Sequence, residues 1–235
     1  MDNPGLSGFG SDAELRIVAP TGGSVNKFSI YDYAGSPLFT LRFNIRFGAS
    51  DGSSTGATSG TWYLFAGDGA NYSDNGGFAG AQAFTGLRFV FGAGGAITTN
   101  ARVVNAWTAT GITGTPFSQG INYTVDIYGN NGLVTEFYNY SGVQTVAVNT
   151  VDIWVNGVLV ANDLGKAQLP DNNNIDSWMF YSENSIGNVA NIFLDDLYYT
   201  NELSDDPLPV ELTSFSATTI GKDVKLSWNL SLIHI

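Results

Sequence analysis

The chain has 235 residues, 43% hydrophobic and 13% aromatic, with only 13% charged and a formal net charge of −12. Such an acidic surface repels phosphate backbones and anionic lipid, so nucleic acid and membrane surfaces are poor partners. The absence of cysteine excludes thiolate chemistry, disulfides and Cys-type zinc sites together, and no apolar run reaches the about 18 residues of a membrane-spanning helix.

Met1-Asp2-Asn3-Pro4-Gly5 has neither the basic nor the apolar region of a secretory signal, so either the signal has been removed or the true start lies upstream, and an upstream start is the expectation. From there the pattern is period-two alternation broken by Gly, Asn, Asp and Ser clusters, the signature of strands and turns. Strands are expected at 14–19, 27–33, 39–47, 61–65, 85–91, 123–128, 134–140, 151–155, 158–161, 178–182 and 191–199. In the clearest, Phe39, Leu41, Phe43, Ile45 and Phe47 share one face, while Thr40, Arg42, Asn44 and Arg46 share the other. Asn156-Gly157 supplies the two positive φ angles of a type I′ hairpin turn. Asn130-Asn131-Gly132 is expected to join 123–128 to 134–140 in the same way. No dozen residues carry a capped 3.6-residue apolar stripe, so no substantial helix is expected. About eleven antiparallel strands predict an all-β, two-sheet antiparallel jelly-roll sandwich over residues 1–204.

Asp205-Asp206-Pro207-Leu208-Pro209 reads as a linker over 205–209, because each proline holds its predecessor extended. Segments 210–216 and 223–228 alternate again, and residues 210–235 are expected to be the truncated start of a second β domain. The last five residues, Ser231-Leu232-Ile233-His234-Ile235, resemble translated sequencing-adapter read-through and are given no role.

Three segments carry resemblances. Val151-Asp152-Ile153-Trp154-Val155-Asn156-Gly157-Val158-Leu159-Val160 resembles the hairpin of concanavalin A-like and laminin-G-like domains. Asn191-Ile192-Phe193-Leu194-Asp195-Asp196-Leu197-Tyr198-Tyr199 resembles the closing strand of the same jelly rolls and of many carbohydrate-binding modules. Pro207-Leu208-Pro209-Val210-Glu211-Leu212-Thr213-Ser214-Phe215-Ser216-Ala217, with Val224-Lys225-Leu226-Ser227-Trp228, resembles the opening of a fibronectin-III-like domain common in Bacteroidota. There it precedes the C-terminal signal of the type IX secretion route. The resemblance implies an exported, multidomain protein at the cell surface or outside the cell.

The one histidine is His234, so Ser-His-Asp catalysis and histidine metal centres are unavailable and an enzyme would have to work with carboxylates. Jelly-roll glycanases present theirs as Glu-x-Asp-x-x-Glu, and none of Glu14, Glu136, Glu183, Glu202 and Glu211 stands in that spacing. Asp195 and Asp196 are adjacent and would point to opposite faces of a strand. No enzyme is expected. Two loops are rich in oxygen ligands, one running from Asp68 through Asp74 to Asn75 and the other from Asp171 to Asp176; they suit calcium, or are simply what turns are made of. The doubled Asp195-Asp196 in an apolar strand forces one carboxylate inward, to meet either a structural calcium shared with the region of Asp12 or a hydrogen-bond donor. Asp126 with Tyr128, Asp152 with Trp154, and Arg42 with Arg46 lie on polar strand faces. If those strands are neighbours they form a sugar-binding patch, or else ordinary cross-strand Arg–Asp pairs with aromatics in a second layer. Trp62, Trp107 and Trp178 are expected as core or rim packing and not as ligand platforms. The sequence thus points to a secreted, non-catalytic module binding a glycan or another extracellular polymer. The alternative is a structural adhesin or stalk module that contacts protein neighbours.

Overall fold

A computed structural model describes residues 14–20, 25–31, 33–49, 55–69, 78–183 and 190–205, together with the backbone of strands at 210–220 and 223–232. The strands in chain order are β1 Leu15–Ile17, β2 Asn26–Ile30, β3 Leu38–Gly48, β4 Thr61–Gly67, β5 Ala83–Phe91, β6 Ile97–Val103, β7 Ala106–Thr108 and β8 Asn122–Asn130. They continue with β9 Glu136–Asn139, β10 Val143–Val146, β11 Thr150–Val155, β12 Val158–Gly165, β13 Ser177–Ser182, β14 Asn191–Thr200, β15 Val210–Ile220 and β16 Asp223–Leu232. One six-stranded antiparallel sheet has the order β1-β14-β3-β8-β11-β12, and a second has β2-β13-β4-β5-β6-β7. The chain crosses between them repeatedly, apart from the β4-β5-β6-β7 meander in the second sheet and the β11-β12 hairpin in the first, and the fold is a two-sheet jelly-roll sandwich.

Alternation builds the core as the sequence predicts. Phe39, Leu41, Phe43, Ile45 and Phe47 are all 0% exposed. They face Trp62 and Leu64 of β4, Leu87 and Phe89 of β5, and Trp178 and Phe180 of β13 across the sandwich. Phe43 meets Phe180 edge-on at 5.2 Å between ring centroids, and Phe47 meets Phe89 at 4.9 Å. Each such side chain contributes about 1.5–3 kcal/mol on burial. The Trp62 indole nitrogen donates to the Ala190 carbonyl, so the ring is buried without losing its hydrogen bond.

Asn156 (φ 50°) and Gly157 (φ 76°) turn β11 into β12 with Val155 opposite Val158, the predicted hairpin. The other predicted hairpin does not form. β8 is paired with β3 on one flank and β11 on the other, which leaves no edge for residues 134–140. Those residues instead pair with β10 as a separate two-stranded ribbon over the first sheet. The asparagines meant for the turn replace backbone partners. Asn130 Nδ2 donates to the carbonyls of Val134 (2.8 Å) and Val146 (3.1 Å), and its Oδ1 accepts from Gly132 N (2.8 Å). Asn131 Nδ2 donates to the carbonyls of Pro170 and Asn173, both at 2.9 Å.

After β14 the chain folds back on the sandwich. Thr40 Oγ1 donates to the Glu202 carbonyl and accepts from Ser204 N, and Asn139 donates twice to Asp205 Oδ1 at 3.0 Å. Residues 206–209 of the expected linker lie outside the described residues, and β15 pairs antiparallel with β16.

Candidate functional site

The strands carrying the predicted sugar patch are indeed neighbours. Register sets Arg42 opposite Asp126 opposite Trp154, and Thr40 opposite Tyr128 opposite Asp152. The patch is nevertheless not open. The β9–β10 ribbon covers it, stacking Tyr138 on Tyr128 (3.9 Å) and Tyr140 on Trp154 (4.1 Å). Asp126 and Asp152 are each 1% exposed, and Tyr128 and Trp154 are buried with them. The ribbon supplies the hydrogen bonds that solvent would have made. Tyr138 Oη donates to Asp152 Oδ2 (2.6 Å), Tyr140 Oη to Asp126 Oδ2 (3.0 Å), and Trp154 Nε1 to Tyr138 Oη (3.0 Å). Arg42 pairs with Asp126. Arg46 is buried on the same outward side, against Glu14 (2.5 Å), Asn122 Oδ1 (3.0 Å) and the Phe193 ring (4.7 Å). The open patch does not form; Arg42–Asp126 is the cross-strand pair of the alternative reading, and the aromatics lie in a second, closed core. Burial pushes the Asp152 carboxyl up, and the hydrogen bonds from Tyr138 and Asp163 N oppose it. Burial and the bond to Asp152 push the Tyr138 phenol up.

The doubled aspartate also departs from expectation. Asp195 pairs with Asn44, and the register then shifts so that Tyr198 meets Arg42. Asp196 takes φ 48° in this bulge; its N–H donates to Asp195 Oδ1 (2.9 Å), and Asn44 Nδ2 donates to its Oδ2 (2.7 Å). The extra residue resets the alternation, so neither carboxylate is forced inward. Leu197 returns to the core. Asp12 and Asp74 lie outside the described residues, and Asp68 is half-buried. Among the described residues no three His, Cys, Asp or Glu side chains gather as a metal site. In the second oxygen-rich loop Asp171 pairs with Lys166, whose ammonium holds the carboxyl below its usual range.

An open aromatic cleft lies on the outward face of the second sheet. β4 alternates Trp62 and Leu64 inward with Tyr63 and Phe65 outward. Register aligns Tyr181, Tyr63, Arg88 and Asn100 across four strands, with Phe65 opposite Gly86 and Arg102 opposite Trp107 beside them. A Cβ on Gly86 would stand 2.9 Å from two Phe65 ring carbons, so glycine there is what lets that ring lie on the sheet. Trp107, from the short edge strand β7, reaches back over the face to 5.4 Å from Tyr63 and 5.9 Å from Phe65. Tyr181 stands 6.0 Å from Tyr63, and Phe78 5.4 Å from Phe65. These five rings, with Arg102 and Glu183, line a cavity of about 240 Å³. Burial and the Glu183 charge push the Tyr63 and Tyr181 phenols up, with Arg88 opposing at Tyr63. Both phenols are therefore neutral at physiological pH and can donate and accept hydrogen bonds.

Trp62 and Trp178 are core residues as expected, and half-buried Trp107 is at the rim. Sequence reasoning missed Tyr63, Phe65 and Tyr181. The signal was present in β4, where both alternate sets are apolar, so one aromatic set has to face outward. A second, wider hollow of about 620 Å³ opens at one end of the sandwich, between Ile30, Tyr33, Trp178, Leu197 and Tyr199. Burial there pushes the Tyr199 phenol up to about 12.

No family model matches the chain, and no curated protein sequence matches it. Solved structures do share its outline. The legume lectin-like domain from Entamoeba histolytica is 12% identical, with a TM-score of 0.41 over 80% of this chain and 83% of that one. The Emp47p carbohydrate recognition domain is 11% identical, with a TM-score of 0.44 over 82% and 85%. The PL7 alginate lyase AlyA1 from Zobellia galactanivorans is 12% identical, with a TM-score of 0.38 over 74% and 64%. All three scores lie under 0.5, and the architecture rests on the strand pairing of this chain itself.

Proposed function

We infer that the domain is a binding module for carbohydrate and that its site is the aromatic cleft of the second sheet, not the first-sheet patch. One observation carries the reading: five aromatic rings gathered on the outward face of a sheet around a cavity with Arg102 and Glu183 at its edge. Aromatic faces give the apolar platform a sugar ring needs, and the polar groups fix its hydroxyls. Binding without turnover is the simplest use of the site. Glycoside hydrolysis takes two positioned carboxyl groups, and among the described lining residues the cleft offers Glu183 alone. The resemblance of the tail to exported proteins supports a setting outside the cell for this activity. Trp107→Ala is expected to abolish retention on an immobilised polysaccharide panel while leaving the melting temperature close to wild type, because Trp107 is half-exposed. Wild-type protein is expected to release no reducing ends from the same polymers. Unchanged retention of the Trp107→Ala variant would move the site elsewhere.

A second reading, contact with protein neighbours, is favoured by the outer side of the β9–β10 ribbon. Phe137 is 66% exposed and Val143 72%, with Leu133 and Val134 exposed in the loop before them. Apolar surface of that kind marks interaction sites. Replacing Phe137 and Val143 with serine would then abolish self-association or partner capture without touching sugar binding.

A further inference from the structure

We propose that the ligand of this cleft is an anionic glycan, carrying carboxylate or sulfate groups that Arg102 and Arg88 receive. The inference rests on the carbohydrate reading and sharpens it. The chain has nine Lys and Arg against 21 Asp and Glu, so a guanidinium left without a carboxylate is unexpected. On the first sheet and its loops three cations have carboxylate partners: Arg42 pairs with Asp126, Arg46 with Glu14 and Lys166 with Asp171. In the cleft the cations are held by neutral amides instead. Arg88 Nε and Nη2 donate to Asn100 Oδ1 at 3.2 and 2.8 Å, and Arg102 Nη2 donates to Asn105 Oδ1 at 2.7 Å. An amide oxygen fixes the guanidinium plane but leaves its charge intact. Each arginine keeps its Nη1 free of these bonds.

Both guanidinium carbons lie near the Trp107 ring, at 5.2 and 5.7 Å from its centroid, so two positive charges flank the ring that lines the cavity. Charge-assisted bonds from such preset donors are stronger than neutral ones. Glu183, at the other edge of the cavity, follows β13, and Arg102 stands on β6, with β4 and β5 between them. The cleft therefore has two guanidinium groups beside Trp107 and Tyr181 with Glu183 at its other edge, where Lys27 stands opposite Tyr181 in the register. It suits a chain in which an acidic residue sits beside a ring offering hydroxyls.

The test uses the whole chain on polygalacturonate and its carboxyl-reduced polymer, and on dextran sulfate and dextran. Asn105→Asp and Asn100→Asp are the decisive variants: each hands an arginine an internal carboxylate at an exposed or half-buried position, leaving the arginine itself in place. Wild type is expected to bind at least one acidic polymer in preference to its uncharged counterpart, with affinity falling as salt rises. Asn105→Asp is expected to lose roughly tenfold, the worth of one hydrogen bond to a charged group. Preference for polygalacturonate identifies carboxylate as the group, and preference for dextran sulfate identifies sulfate. Equal binding to charged and uncharged polymers, unchanged in both Asp variants but abolished in Trp107→Ala, would overturn the anion assignment and leave the carbohydrate reading standing. Binding of wild type to none of the four would count against the carbohydrate reading itself.

Discussion

Asp152 accepts two hydrogen bonds, from Tyr138 Oη and Asp163 N, in a place closed to water. Its carboxyl is raised above the ordinary 3.8 because burial outweighs those bonds. The folded state consequently keeps a proton at pH values where the unfolded chain has released it, and stability falls as pH rises from about 3.8 through the raised value. Asp152→Asn, which titrates in neither state, is expected to flatten that part of the profile in urea melts taken across the acid range. A slope identical to wild type would mean that another group sets it. Alternation had correctly joined Asp126 with Tyr128 and Asp152 with Trp154 on one face. It says which residues share a face and nothing about what lies over the face. The cover was half legible, since 134–140 alternates to set Tyr138 and Tyr140 together, but the turn assigned before it directed that segment into the sheet.

Turn chemistry was reliable where the sheet left room. Asn156-Gly157 has no competitor for its two positive φ angles, whereas Asn130 and Asn131 had stronger uses for their amides and a strand already flanked on both sides. The Asp195-Asp196 bulge taught a similar lesson, for strict alternation has no symbol for an added residue. Its left-handed Asp196 costs little only because a short polar side chain tolerates φ 48° and Asn44 holds it there. Asp196→Ala keeps the strain and loses the bond, and is expected to destabilise by about 1–3 kcal/mol in chemical denaturation. Asp196→Gly should recover part of that loss. If Ala proves neutral, the bulge is held by its neighbours and not by this side chain.

At the scale of the molecule the two-layer plan and its central Phe39–Phe47 face were readable, because five alternate large apolar residues admit one arrangement. Which outward face stays open was not, since both sheets carry aromatic and charged residues outward and only the packed ribbon shows which is covered. Phe43, wholly buried between the layers, is expected to cost about 3–5 kcal/mol when replaced by alanine, and a much smaller loss would mean that the layers close over the gap. Removing everything after Asp205 should leave the melting temperature nearly unchanged if strands β15 and β16 belong to a separate unit, whereas a drop of many degrees would join them to the sandwich. β1 meets β14 through just three residue pairs, Leu15–Leu194, Arg16–Phe193 and Ile17–Ile192. The strands run antiparallel, so a pull entering ahead of Leu15 and leaving beyond Thr200 draws on them from one end. Load then falls on one pair at a time, and the seam peels like a zipper where a sheared seam would share the strain. A tethered copy of this domain under flow would yield first at that seam, in the sheet that carries no cleft, and leave the aromatic cleft of the other sheet in place.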